Sequence, residues 1–217
     1  MTPSLLRDIL AICAAIGVVG LSFGAVASAA GLSTGMAVAL SLLVLAGGSQ
    51  FLVVGVIAAG ASPWAGVIGG LLINARHLPF GLAMSETVGN GRLRKLLGAH
   101  LLIDEVVAFA RAQESAVRAR AAYWACGLAL AITWNASTLA GAWFGGTIPD
   151  PAAFGVDAAF PAALLALLLP GLRNDPEVRR VALSGSAIAL AVSPFLPAGL
   201  PVLAGLSGLL LAKWEKR

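Results

Sequence analysis

The chain has 217 residues, 59% of them hydrophobic and 11% charged, with a mean hydropathy of +0.92 and a formal net charge of +4. Soluble domains average about 25% charged residues, so a soluble fold is excluded. A span needs about 20 apolar residues, and the whole of residues 1–217 reads as one all-α, polytopic membrane helical bundle with no separate soluble module.

Seven apolar stretches, and so about seven transmembrane segments, are predicted at about 9–30, 36–60, 63–86, 121–145, 156–172, 180–194 and 197–213. The first imitates a signal peptide, with Arg7 before Ile9–Leu21 and small residues over Ala25–Ala29. Asp8 cancels the positive flank and the apolar run continues to Ala30. Gly20, Gly24 and Ser28 recur at four-residue steps, a helix-packing stripe, so a retained span is expected. The same span spells Gly20-Leu21-Ser22-Phe23-Gly24, the G-x-S-x-G pattern of hydrolase nucleophiles. That pattern needs a strand–turn–helix context, so an enzyme is not expected, and Ser22 stays only as a binding candidate.

The second stretch contains Ala46-Gly47-Gly48-Ser49-Gln50-Phe51. Glycine in a helix interior costs about 1 kcal/mol relative to Ala, so a kinked or unwound turn is expected there. Exposed amides and carbonyls at Gly47 and Gly48 would line a cavity, with Ser49 and Gln50 as polar groups on it. Ser49 and Gln50 bonded to neighbouring helices is the alternative.

The third stretch holds the strongest pointer, Asn74-Ala75-Arg76-His77, about halfway along it. An Arg at the centre of a membrane helix costs roughly 2.5–3.5 kcal/mol on insertion scales, and such residues face protein or water. Arg76 suits a carboxylate, either of a solute or of a buried acid. His77 suits a proton, its reference pKa being about 6.5. Pro79 removes the usual donor to the Ala75 carbonyl, which favours a break at the same depth.

Residues 87–120 follow as a cytoplasmic amphipathic segment. Asp104-Glu105 lies in apolar surroundings, and Asp104 is either part of that surface helix or an acid that meets Arg76. Glu114 and Arg118 are spaced for an i,i+4 pair. The fourth stretch carries Thr133-Trp134-Asn135-Ala136-Ser137-Thr138, a polar cluster in which Trp134 and Asn135 suit a site wall. Asp157 opens the fifth as a helix cap, Pro161 falls in its first turns and Pro170 marks its end. The last two stretches, joined by Ser193-Pro194-Phe195-Leu196-Pro197, fit either two tilted spans or one re-entrant hairpin.

Arg92, Arg94, Lys95, Arg111, Arg118 and Arg120 lie in 87–120, Arg173, Arg179 and Arg180 at 173–180, and Lys213, Lys216 and Arg217 in the tail. The positive-inside rule places all three segments in the cytoplasm, and seven crossings then put the N-terminus outside. The basic residues therefore orient the chain, and nucleic acid is not an expected partner. Spans 1–3 and 4–6 are expected to form inverted repeats, with the seventh left over. Cys13 and Cys126 are isolated apolar-stretch residues, and no metal-ligand spacing or cofactor motif is present.

Read together, Gly20–Gly24 with Ala30-Gly31-Leu32-Ser33, Ala46–Phe51, Asn74–His77, Asp104-Glu105 and Gly155-Val156-Asp157-Ala158-Ala159-Phe160-Pro161-Ala162 resemble the AzlC-like family, the large subunit of bacterial branched-chain amino acid exporters. The likeness covers about residues 17–172. Gly48, where members usually carry Ala, and Pro79-Phe80 after the histidine depart from the pattern. The resemblance implies export of branched-chain amino acids across a bacterial inner membrane, coupling to the proton motive force, no cofactor, and partnership with a small AzlD-like membrane subunit. A membrane scaffold, with its polar groups serving only helix packing, is the rival reading.

Overall fold

The computed structural model describes residues 3–146, 165, 168–169, 171–196 and 200–212. Among these residues the chain is helical and carries no strand. The helices are α1 (Pro3–Ala29), α2 (Thr34–Val44), α3 (Gly47–Ala58), α4 (Pro63–Asn74), α5 (His77–Val88), α6 (Arg92–His100), α7 (Asp104–Arg111), α8 (Ala116–Gly145), α9 (Pro176–Val192) and α10 (Leu200–Gly205). A 3₁₀ turn, Leu206–Leu211, follows α10. Asp157, Pro161 and most of the fifth expected span lie outside the described residues.

Among the described residues two helices are long and apolar enough to cross a membrane, α1 with 27 residues and α8 with 30. At 1.5 Å per residue they reach about 40 and 45 Å, beyond a hydrocarbon core of about 30 Å. They pack in parallel. Gly17 faces Thr133, Gly20 faces Ser137, Gly24 faces Thr138 and Gly141, and Gly145 faces Ala25, so both numbers rise together along the seam. A Cβ on Gly141 would collide with the backbone of Leu21, so the small-residue stripe sets the helix separation. The Ser28 hydroxyl donates to the Ala142 carbonyl at 2.8 Å and closes the far end of this pair.

Parallel packing bears on two expectations, the side of the N-terminus and the inverted repeat, and supports neither. The start of α1 and the start of α8 lie at the same end, with Leu5 and Ile9 in one cluster with Ala122, Tyr123 and Cys126. The start of α1 and the basic segment before α8 therefore share a face, whereas an outside N-terminus needs them on opposite faces. Inverted halves made of spans 1–3 and 4–6 would also set α1 and α8 antiparallel, which they are not. Sequence pattern carries no direction, and the second stretch shows this most clearly.

That stretch, 36–60, is not one span but two short helices that turn back on each other. Ser41 on α2 meets Asn135 and Thr138 part-way along α8, and α2 ends at Val44. A straight continuation would put residue 50 about 15 Å beyond residue 40. Instead the Gln50 side-chain amide donates to the Leu40 carbonyl at 3.1 Å, and the Phe51 ring rests edge-on against Phe23 at 5.2 Å. The hairpin tip is Leu45-Ala46. Leu45 is buried and has φ +24°, ψ +51°, left-handed backbone that a leucine adopts only under constraint.

Helix α4 runs antiparallel to α3, with Gly66 against Val53 and Gly70 against Ser49. It continues into α5 after a 46° bend, so α4 and α5 together make a third candidate crossing broken in the middle. Helices α6 and α7 form a second hairpin. Gly98 packs on Val88, the Tyr123 hydroxyl donates to the Gly98 carbonyl at 2.7 Å, and Leu101 packs on Gly127. Val106, Val107 and Ala110 then lead back toward the start of α8. The segment expected to be amphipathic, 87–120, thus contains a hairpin, α6–α7, whose tip is folded into the bundle. The expected Glu114–Arg118 pair is present at 3.8 Å, well exposed.

Candidate functional site

Three chain breaks meet at one level of the bundle: the tip of the α2–α3 hairpin, the bend between α4 and α5, and the tip of the α6–α7 hairpin. Arg76 joins them. Its Nη2 lies 3.0 Å from the Asp104 carboxylate at the start of α7. The same nitrogen would sit 3.9 Å from a Cβ built on Gly48, in the first turn of α3. Both charged side chains are somewhat under half exposed, at 42% and 44%, so the pair is reachable and not sealed in the core.

The first turn of α3 adds to this positive corner. Its cap residue, Ala46, offers no side-chain acceptor, and the first helical bond shown there runs from the Gln50 amide to the Ala46 carbonyl at 3.1 Å. The amides of Gly47, Gly48 and Ser49 precede that bond and point out of the helix start, where the dipole favours negative charge. The Arg76 guanidinium, held by Asp104, thus lies beside the start of α3, and both favour an anion.

The bend in α4–α5 rearranges local hydrogen bonds in a traceable way. The Ala75 carbonyl is not left free as Pro79 suggested: the Leu78 amide shifts onto it at 3.1 Å. This shift releases the Asn74 carbonyl, which His77 Nδ1 meets at 3.0 Å. A carbonyl only accepts, so Nδ1 carries the proton and Nε2 of a neutral ring keeps its lone pair. That Nε2 is buried and has no hydrogen-bond partner. Asn74 donates to the Ser49 hydroxyl at 3.0 Å, and Ser49 donates to the Ala46 carbonyl at 2.9 Å, which pins the bend to the hairpin tip. The Asn74 amide oxygen is likewise buried and unpartnered. Two unsatisfied acceptors and one half-open cation therefore lie within four residues of chain.

Gln50 and Trp134 stand behind the tip. Trp134 Nε1 donates to the Gln50 amide oxygen at 2.9 Å, its ring stacks on Phe23 at 5.7 Å, and a Cβ on Gly47 would come within 3.0 Å of it. Gln50 is fully buried with its oxygen and its nitrogen both engaged, so it braces the hairpin. Asn135 accepts from Ser41 and donates to the Ala131 carbonyl at 2.8 Å, tying α2 to α8. Ser22 is buried on α1, the helix paired with α8.

Of the residues singled out from sequence, Gly47, Gly48, Ser49, Asn74, Arg76, His77 and Asp104 are brought together. Trp134 and Gln50 support them from behind, and Asn135 and Ser22 belong to the long-helix scaffold. Ser41 and Leu45 were missed. A lone serine in the apolar run 36–60 was the available signal for Ser41; nothing in a leucine announces a left-handed backbone.

Among the described residues no group of three His, Cys, Asp or Glu side chains is placed to hold a metal ion. No curated protein and no solved structure matches the chain. The AzlC protein family model matches residues 11–148, a stretch holding both hairpins, the broken span and most of α1. That family is linked to branched-chain amino acid transport. With well over half of its length matched, and with apolar helices long enough to cross a bilayer, this membrane protein belongs to the AzlC family.

Proposed function

We propose that the protein is the large subunit of a two-component, proton-coupled exporter of branched-chain or similar small amino acids in a bacterial inner membrane. Its partner is a small AzlD-like membrane subunit. The observation that carries this reading is the half-open Arg76 guanidinium set between two hairpin tips, beside the uncapped start of α3.

The amino acid's carboxylate competes with Asp104 for Arg76 and the amides of Gly47 and Gly48. Its ammonium is taken by the unpartnered Asn74 oxygen, with the released Asp104 as counter-ion. Losing Arg76 frees the α6–α7 tip to move, and a proton on His77 Nε2 or Asp104 resets the carrier. One elementary charge crossing 100 mV supplies about 2.3 kcal/mol, enough to sustain a gradient of nearly fiftyfold.

Orientation follows from the same parity. With the basic segment 87–120 inside and the start of α1 on its face, the N-terminus is cytoplasmic. Helix α1, the broken α4–α5 span and α8 then cross out, in and out again, and the α2–α3 tip enters from outside while the α6–α7 tip enters from the cytoplasm.

The scaffold reading has one observation in its favour: Gln50 and Ser49 are both spent on helix-to-helix bonds. Leucine export measured per inserted molecule separates the two. Arg76→Gln should insert normally and lose export; a variant exporting normally removes the site, and one that only loses abundance favours the scaffold.

A further inference from the structure

We infer that the cavity between α5, α6 and α8 is a cytoplasmic loading site for the same amino acid, with Lys95 as its carboxylate anchor. The inference rests on the exporter reading above. The cavity has a volume of about 190 Å³ and is lined by Gly81, Met84, Ser85, Val88, Lys95, Ala99, Leu102 and Tyr123. At about 30 Å³ per water this is the room of roughly six waters, sized for one small aliphatic amino acid.

Its lining is apolar apart from three groups. The Tyr123 hydroxyl is committed to the Gly98 carbonyl, and the Ser85 hydroxyl to the Leu82 carbonyl at 2.9 Å. Lys95 is exposed on α6 and is a cation at the mouth of an apolar hole. That combination matches a ligand with an aliphatic body and an anionic end.

Position connects the cavity to Arg76. Gly81, Met84, Ser85 and Val88 line the cavity from one side of α5, and His77 lies one turn before them on that same side, at the bend. Leu102 lies in the α6–α7 tip two residues before Asp104, and one of its methyls would sit 3.7 Å from a Cβ on Gly81. It forms the wall of the cavity contributed by that tip. A tip movement that opens the pair therefore also moves this wall of the cavity.

The test uses the full two-subunit exporter in vesicles, varying leucine on the cytoplasmic side. Lys95→Gln should raise the half-saturating concentration by about tenfold, the loss of one charge-assisted contact, with the maximal rate kept. Lys95→Arg should restore it, Ala99→Phe should raise it by filling the space, and Arg92→Gln, outside the lining, should leave it unchanged. An unchanged half-saturation in both Lys95→Gln and Ala99→Phe overturns the inference, as does activity that instead follows anionic lipid content. Arg76→Gln in the same assay reports separately: its loss of export beside an unaltered Lys95→Gln leaves the exporter standing without the loading site, and its normal export removes both.

Discussion

Arg76 Nη2 and Asp104 Oδ2 stand 3.0 Å apart, which couples the break in one crossing to the tip of a hairpin that comes from the other end of the bundle. A half-exposed pair of this kind contributes only about 0–1 kcal/mol to stability, so its place at three chain breaks calls for another role. In the carrier reading it is a latch that substrate competes for.

Asp104→Asn should therefore lower leucine export by about tenfold or more, at least about 1.4 kcal/mol on the transport barrier, with little change in membrane abundance. The charge-exchanged variant Arg76→Asp/Asp104→Arg restores the pair and moves the cation off the bend. It should insert well and remain inactive, and recovery of export would assign the pair a purely structural role. Uptake into inverted vesicles reads both.

Gln50 predicts the opposite pattern. Gln50→Leu leaves the Trp134 N–H buried without its partner, at a cost of about 1–3 kcal/mol, and removes the side-chain bond to the Leu40 carbonyl on α2. Thermal unfolding in detergent should shift down by several degrees, while the surviving folded protein keeps its preference among leucine, isoleucine and valine. A changed preference at unchanged stability would move Gln50 into the binding site.

The α1–α8 seam admits no side chain at Gly141, where a Cβ would meet the Leu21 backbone. Gly141→Leu should separate the two long helices and remove folded protein, since overpacking of a close seam costs about 1–3 kcal/mol or more. Ala142, buried one residue on, makes a comparison: Ala142→Gly should be tolerated much better. Size-exclusion recovery of both variants checks this.

Parallel packing of α1 and α8 also fixes a relation between faces. Reporters placed before Leu5 and within Gly89–Gly91 should respond alike, both active in the cytoplasm and silent outside. Opposite responses would mean the two long helices do not cross together as packed.

Much of the site was legible in the sequence, and for physical reasons. Tandem glycine after Ala46 and an Arg-His pair before Pro79 are unfavourable in an unbroken membrane helix, so each announced a break, and breaks occur at both places. Asp104 was a candidate partner for Arg76 because intramembrane charges pair, and it does so. The direction of the chain after each break was not legible. Residues 36–60 amount to about 37 Å of helix, the right length for one crossing, and hydropathy is the same whether the second half goes on or turns back. The hairpin within 87–120 was not legible either, because the charges describe its ends, while Leu101 and Leu102 at its tip are buried. Gln50 looked like a ligand group for the same reason that it makes a good brace: one amide satisfies a donor and an acceptor at once.

The most direct test is solvent access at the bend itself. Ala75 is exposed between Asn74 and Arg76, so Ala75→Cys, in a protein carrying Cys13→Ala and Cys126→Ala, reports on the space beside the guanidinium. Impermeant thiol reagents should label it from the aqueous phase, and saturating leucine should slow that labelling severalfold. Labelling only by lipid-soluble reagents, with no effect of leucine, would mean that Arg76 faces the bilayer or a sealed joint, and the carrier account would fail.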